Sequence, residues 1–469
     1  MPEGDRPHAA LRWVTRVAVA LVVLVFVGGL GHRFVVLDQP DPRQDPAAVE
    51  PPAGLDLPTP APPAPVATAE RLTPPDPAAV RQALRGLLAD PRLGRRVSVA
   101  VAGVDGRPVL AEGPAVVTPA STLKLLTCLA ALEALGPEHR FSTTVVASDQ
   151  TVTLVGGGDP LLAREPVDED TYPAQADVVT LARQVAEALS DDGIRRIRLQ
   201  YDATLFTGPV ASPGWEADYL PDDVVSPISA LWVDGGRVEP GEEERSDDPA
   251  AAAADAFATE LRRRGLTVLG EPTPGIARPD ATQVAAVQGA ELVEVVQHVL
   301  EVSDNEAAEV LARHTALAEG LPGSFAGAEE AVGAVLDRLG VPLRGAVLLD
   351  GSGLARGNQL ALTTMLETLA AGAGDPELAA LTEGLPVAGF NGSLGDRFAT
   401  DAEAGLGWVR AKTGTLTGVH GLAGIVTGRD GTVMLFVAAA DRVKVENTLF
   451  ARDRLDQVAA ALAGCACAR

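Results

Sequence analysis

Pro119-Ala120-Ser121-Thr122-Leu123-Lys124 opens an apolar run through Leu125, Leu126, Leu129, Leu132 and Leu135, which holds a serine at the start of a helix. With Ser121 in the first turn, the residue three positions on lies one turn above it, so the Lys124 amine reaches the Ser121 hydroxyl. A serine hydroxyl is a poor nucleophile near neutral pH and needs an adjacent base. Lysine is such a base only where burial or neighbouring cations lower its pKa. The helix start also offers free backbone N–H groups and a positive dipole end to a developing oxyanion. Alone, Ser-x-x-Lys is an ordinary pattern, because helix starts are commonly capped by Ser or Thr and followed by a lysine. Two later triplets, Ser303-Asp304-Asn305 and then Lys412-Thr413-Gly414, change its weight.

The three together, in this order, form the signature of active-site serine β-lactamases and penicillin-binding proteins. Read that way, the Asn305 amide bonds both Lys124 and a substrate amide, and the Ser303 hydroxyl relays a proton to the departing amine. Lys412, Thr413 and Thr415 hold a terminal carboxylate. Gly414 lets a substrate backbone come close, and the N–H groups of Ser121 and Thr415 form the oxyanion hole. The bland reading of Ser303-Asp-Asn is a plain helix cap.

At 469 residues the chain exceeds one ordinary core, and two to three units are expected at roughly 100–200 residues each. A formal charge of −25 argues against nucleic acid and against an anionic membrane surface as partners. Three cysteines do not make a disulfide framework: Cys128 belongs to the catalytic helix and is expected to be buried, and Cys465 and Cys467 fall where a frayed terminus is expected. The six histidines show no metal-binding spacing, so neither metal nor cofactor is expected.

Arg6, Arg12 and Arg16 precede an apolar run from Val17 to Gly31 that resumes at 34–37. Fifteen residues suit a signal peptide, whereas counting to Leu37 restores the roughly 20 residues of a span. No small-x-small cleavage site follows closely. The expectation is a cytoplasmic tail over 1–11 and an uncleaved signal anchor over 12–37, the arginines placing the remainder outside. A cleaved signal on a secreted protein is the alternative. Residues 38–77 are Pro/Ala-rich and read as an extended spacer at about 3.1 Å per residue.

The folded part begins with an amphipathic helix over 78–88, then a hairpin of 97–102 and 108–111 around Asp105-Gly106. Strands over 143–147 and 151–155 end in Gly156-Gly-Gly-Asp-Pro160, a structural turn because no phosphate-loop context surrounds it. A helix over 178–189, a strand over 194–201 and a helix over 252–264 follow, with a solvated acidic loop at 239–248. After a helical layer from residue 289, Lys412-Thr-Gly is expected at the end of a strand over 407–410. Strands over 421–427 and 433–437 flank an Asp430-Gly431 turn.

At these residues the chain resembles the class C low-molecular-mass penicillin-binding proteins, the D-alanyl-D-alanine carboxypeptidase/endopeptidase family. The resemblance extends to Gly156-Gly-Gly-Asp-Pro-Leu-Leu162, Asp350-Gly-Ser-Gly-Leu354, Leu385-Pro-Val-Ala-Gly389 and Lys412-Thr-Gly-Thr-Leu-Thr-Gly-Val419, and covers about 78–463. It implies an α/β transpeptidase fold of penicillin-binding-protein/β-lactamase type, an antiparallel sheet plus a helical subdomain. The separation of 182 positions from Ser121 to Ser303 leaves room for an inserted domain. A catalytic domain over 78–144 and 286–469 is therefore expected around one insert over 145–285, a second inserted domain being lost or vestigial. The resemblance further implies acylation of Ser121 by peptidoglycan stem peptides with release of D-alanine, cross-bridge cleavage at the same site, and β-lactams as covalent inhibitors. Competing readings are a β-lactamase or esterase, a catalytically silent wall-binding protein, and a scaffold whose anchor matters more than its cleft.

Overall fold

The computed structural model describes residues 73–168 and 170–469. The expected tail, anchor and most of the spacer lie outside the described residues. Among the described residues, no helix is long and apolar enough to cross a membrane. Residues 74–77, expected to close the spacer, already belong to the folded unit. Pro75 pairs with Ala468, the Asp76 N–H donates to Cys467 O over 2.7 Å, and the Asp76 carboxylate caps α1 (Pro77–Ala83).

The expected hairpin forms as β1 (Arg96–Ala102) and β2 (Pro108–Glu112), followed by the short β3 (Val116–Val117). Ser121 lies in a 3-10 turn, Ala120–Leu123, and α2 (Lys124–Leu135) starts only at the lysine. The next strands are β4 (Arg140–Ser148) and β5 (Thr151–Val155), then α3 (Val178–Asp191), β6 (Arg196–Asp202) and α4 (Pro249–Arg263). Two short strands, β7 (Thr267–Val268) and β8 (Thr273–Pro274), lead to β9 (Thr282–Glu291). A helical stretch comprises α5 (Leu292–Val302), α6 (Asn305–Ala318) and α7 (Phe325–Arg338). After β10 (Leu360–Ala361) come α8 (Leu362–Gly374) and α9 (Ala380–Glu383). The chain closes with β11 (Val409–Leu416), β12 (Val419–Thr427), β13 (Val433–Asp441) and α10 (Thr448–Ala463).

Five strands make an antiparallel sheet in the order β11-β12-β13-β1-β2. Its inner strands β12, β13 and β1 are largely apolar because both faces are covered. The two-residue period sorts them: Val99, Val101, Met434, Phe436 and Ala438 join one core with α1 and α10, while Ala100, Ala102, Leu435, Val437 and Ala439 join the core of α2, α5, α6, α7 and α8. A second, mixed sheet, β7-β6-β5-β4-β9 with β8 beside β6, draws its strands from Arg140 to Glu291 and packs its own core on α3 and α4. Here β5, α3 and β6 form a parallel β-α-β unit.

Three expectations change. The strand carrying Lys412-Thr-Gly continues to Leu416, because the full pairing with β12 keeps the ladder intact, so the triplet sits mid-strand. The C-terminus is held rather than frayed: Cys465 and Cys467 form a disulfide, Cys467 is buried, and the Ala468 N–H donates to Asp430 Oδ2 over 2.6 Å. In the acidic loop the carboxylates of 239–244 are exposed as expected, but Arg245 turns inward onto Glu306, Nε to Oε1 3.0 Å, with both side chains under a tenth exposed. Glycine-rich 156–158 is a packing turn, since a Cβ at Gly157 would fall 1.8 Å from Ser142 O.

Leu126 is fully buried in the helical core whereas Leu449 is 64% exposed. Leu126→Ala is expected to cost about 3 kcal/mol and Leu449→Ala less than about 0.5 kcal/mol, read by urea unfolding.

Candidate functional site

The 3-10 turn that holds Ser121 is pressed between the start of α2 and the β11-β12 edge. Ala120, the residue before the serine, has φ 47°, a left-handed conformation uncommon for a residue with a side chain. It is held there by a close approach from below: a Cβ on Gly353 would lie 2.0 Å from Ala120 O. Gly414 answers from the sheet side, its missing Cβ leaving room for Pro119 O at 2.6 Å. The glycine of the third triplet therefore admits the turn that carries Ser121.

Lys124 is entirely buried, and its amine has three partners. It donates to Ser121 Oγ over 3.0 Å, to Asn305 Oδ1 over 2.8 Å and to the Ser352 carbonyl over 2.7 Å. Burial lowers its pKa from 10.5 to about 8, against the pull of the Asp350, Asp304 and Glu309 carboxylates. A fraction of the amine is thus free at neutral pH and already within reach of the hydroxyl it would deprotonate.

The second triplet makes the corner between α5 and α6. Ser303 adopts φ 64° and ψ 37°, which reverses the chain in two residues. Asp304 does the capping, its Oδ1 accepting from the Ala307 N–H at 2.8 Å while its Oδ2 lies 3.2 Å from His298 Nε2. Asn305 begins α6 and points at Lys124. The Ser303 hydroxyl has no hydrogen-bond partner among the described residues and is partly exposed. Behind this corner lies a cleft of about 410 Å³ lined by His298, Asp304, Glu306, Asp234 and Pro240.

Lys412 is also wholly buried, on the face of β11 that carries Gly414. Its amine donates to Thr413 O over 3.1 Å and not to Ser121; burial first, and then the charge of Lys124, push its pKa well below 10.5. Thr413 Oγ1 donates to Ser393 Oγ over 3.0 Å. The Ala411 N–H points off the sheet to Pro386 O, so antiparallel alternation turns the N–H groups of Thr413 and Thr415 to the same open edge. Thr415 is exposed there.

Sequence reasoning missed the supports of Lys124. The loop 350–353 presents the Ser352 carbonyl because Glu309 grips it: Gly351 N–H donates to Oε1 over 3.0 Å and Ser352 N–H over 2.8 Å. Glu309 is fully buried, and burial followed by the nearby Asp350 raises its pKa to about 7, with Arg313 at 3.6 Å opposing. Asp350 in turn accepts from Gly353 N–H, Ala355 N–H, Asn358 Nδ2 and Trp215 Nε1. One signal was legible: Glu309 follows Asn305 by four residues, hence shares its helix face, and an acid amid Ala and Val calls for a partner. Among the described residues no cluster of His, Cys, Asp and Glu could hold a metal ion.

The chain matches the model of the D-Ala-D-Ala carboxypeptidase 3 (S13) family over residues 80–244 and 240–462. It is 36% identical over 480 residues to carboxypeptidase DacB of Mycolicibacterium smegmatis, covering 97% of this chain and 99% of that one. A carboxypeptidase of Mycobacterium tuberculosis is 36% identical over 436 residues, 88% of this chain and 91% of that one. The D-alanyl-D-alanine carboxypeptidase of Actinomadura sp. R39 is 30% identical over 439 residues, 74% and 78% of the two chains. Among solved structures, penicillin-binding protein 4 of Haemophilus influenzae superposes with a TM-score of 0.66 at 22% identity, covering 82% of this chain and 97% of that one. That likeness carries the fold.

Glu309→Ala leaves the Gly351 and Ser352 N–H groups without their acceptor and the buried Arg313 guanidinium without its carboxylate, while its bond to the backbone carbonyl of residue 309 remains. It is expected to cost about 3–5 kcal/mol in urea unfolding, as breaking a buried pair does.

Proposed function

Since this chain belongs to the D-Ala-D-Ala carboxypeptidase 3 (S13) family, we propose that it works as a penicillin-binding serine D-Ala-D-Ala carboxypeptidase on peptidoglycan stem peptides. The observation that carries the reading is the amine of Lys124, buried, lowered to about 8, and 3.0 Å from Ser121 Oγ. In the proposed reaction the free amine takes the Ser121 proton as Oγ attacks the carbonyl carbon of the penultimate D-alanine. The carbonyl oxygen turns into the N–H groups of Ser121 and Thr415. The terminal carboxylate is held by Lys412, Thr413 and Thr415, and the Asn305 amide bonds the substrate amide. As the C–N bond breaks, Ser303 passes a proton to the departing D-alanine amine. Water then releases the acyl group, with Lys124 again as the base. Cross-bridge cleavage runs on the same steps with a different leaving amine.

β-Lactams present a strained amide to the same oxygen and are expected to stay attached. The Haemophilus influenzae fold relative has been crystallised with a β-lactam bound. A β-lactamase would differ by rapid deacylation of penicillin, an esterase by its preference for esters. The silent wall-binding and scaffold readings are disfavoured because the chain keeps all three motifs, where a silent protein would be free to lose Lys124 or Lys412.

The division proposed for the chain is a catalytic domain over 78–144 and 286–469 around an insert over 145–285, supported by the separate core of the second sheet. The enzyme is proposed to act outside the cytoplasm, tethered by the apolar segment within 12–37 and spaced from the bilayer by 38–77.

Wild-type protein is expected to take a fluorescent penicillin covalently and Ser121→Ala to take none; an unlabelled wild type would sink the reading. Because Lys124 must be unprotonated, the rate of that labelling should rise about tenfold per pH unit below pH 8 and level off above it, the sign following from a base whose pKa lies at about 8. A flat profile between pH 6 and 9 would remove Lys124 from the role.

A further inference from the structure

The strand that carries Lys412 extends away from the nucleophile. Over its first half the outer edge of β11 is occupied: Ala388 N–H donates to Val409 O over 2.9 Å and Ala411 N–H to Pro386 O over 3.0 Å. The ladder reaches one residue before β11, since Thr427 N–H donates to Trp408 O over 3.2 Å. The two-residue period then puts Trp408, Arg410, Lys412 and Gly414 on one face, with Lys412 and Gly414 at the catalytic end. Trp408, at the other end, is 59% exposed, Phe390 beside it 74%, and Leu406 38%. They form one patch: a Cβ on Gly407 would lie 3.5 Å from Phe390 Cε2, and one on Gly389 would strike the Leu406 side chain at 2.3 Å. Arg410 is exposed and has no ion pair among the described residues.

Direction along the strand follows from the assignments of the preceding subsection, on which this inference rests. The scissile carbonyl faces the Thr415 N–H, and the leaving residue's carboxylate is held by Lys412, Thr413 and Thr415, two of which lie on the residue-408 side of that N–H, so the leaving group runs toward residue 408. A single D-alanine stops at the carboxylate. Trp408 lies about 13 Å beyond Lys412, four residues at about 3.3 Å each, and only a larger leaving group reaches it.

We propose that the shelf of Phe390, Leu406, Trp408 and Arg410 binds the leaving half of a cross-linked stem-peptide dimer, and so serves endopeptidase cleavage without serving D-alanine release. The exposed Arg410 guanidinium, with no ion pair among the described residues, complements the carboxylates of a stem peptide. The flanking rings offer faces to the carbon skeleton of that peptide. In this cleavage Ser121 Oγ bonds to the D-alanyl carbonyl carbon and the bond to the second stem's amine breaks. That amine leaves with the relayed proton, and water later frees the acyl half.

The test compares the full chain with Trp408→Ala/Phe390→Ala and with Arg410→Ala, on a monomeric pentapeptide muropeptide, on a cross-linked muropeptide dimer, and on fluorescent penicillin. Dimer cleavage is expected to lose about tenfold or more in kcat/KM, as truncating anchors of a binding surface does, with D-alanine release and penicillin labelling unchanged. Equal losses on both muropeptides, or undiminished dimer cleavage, would overturn the proposal. So would a change of oligomeric mass in sedimentation, which would make the shelf a contact between copies of the chain. Wild type that releases D-alanine and leaves dimers intact sinks this inference alone, whereas wild type that neither labels nor releases D-alanine sinks the function beneath it.

Discussion

A buried amine in want of acceptors organises this molecule. Lys124 is removed from water, where a charged ammonium costs several kcal/mol unless its hydrogens are matched. Three oxygens match them, from a 3-10 turn, from the first residue of a helix 181 positions on and from a loop carbonyl 228 positions on. Each is set in place by something else: Ala120 and Gly353 fix the turn, the Ser303 corner fixes Asn305, and Glu309 fixes the loop. The amine is short of full charge because burial outweighs its acidic surroundings. The same arrangement that makes it tolerable in the interior is what suits it to the base's role proposed for it.

The supports also explain why so much of the strain is concentrated here. Ala120 and Ser303 both sit at positive φ without being glycine, and each such residue costs of order 1–3 kcal/mol where the surroundings compel it. Glycine appears where two backbones must touch, at 353 under Ala120 and at 414 against Pro119. The antiparallel sheet serves as the rigid wall. Both of its faces are packed, so β11 has little freedom to drift, and its free edge from Thr413 onward lies beside the turn that carries Ser121.

Charge has a second layer. Glu309, Asp350 and Arg313 lie one shell behind the amine, and the carboxyl of Glu309 is raised to about 7 by burial and by Asp350. It accepts from two backbone N–H groups, so its position matters as much as its charge. On the sheet side Lys412 is held low by burial and by the neighbouring amine. Two lysines share one interior: burial lowers the pKa of both, and the charge of Lys124 lowers that of Lys412 further.

Much of this was legible from residues alone, where the geometry is local. A spacing of three at a helix start puts Lys124 over Ser121. The order of the three triplets pointed to their convergence, and the Asp-Gly turns marked their hairpins. Other features depend on what lies against what. That Ser121 occupies a 3-10 turn, that Gly414 yields its space to Pro119, that Arg245 leaves an acidic loop to meet Glu306 and that the C-terminus is pinned to residues 75 and 76 all arise from packing between distant segments. So does the third oxygen on Lys124, a backbone carbonyl that any residue type at 352 would carry. Side-chain identity and period are written in the sequence, whereas backbone acceptors, burial and the pKa values they set exist only once the segments meet.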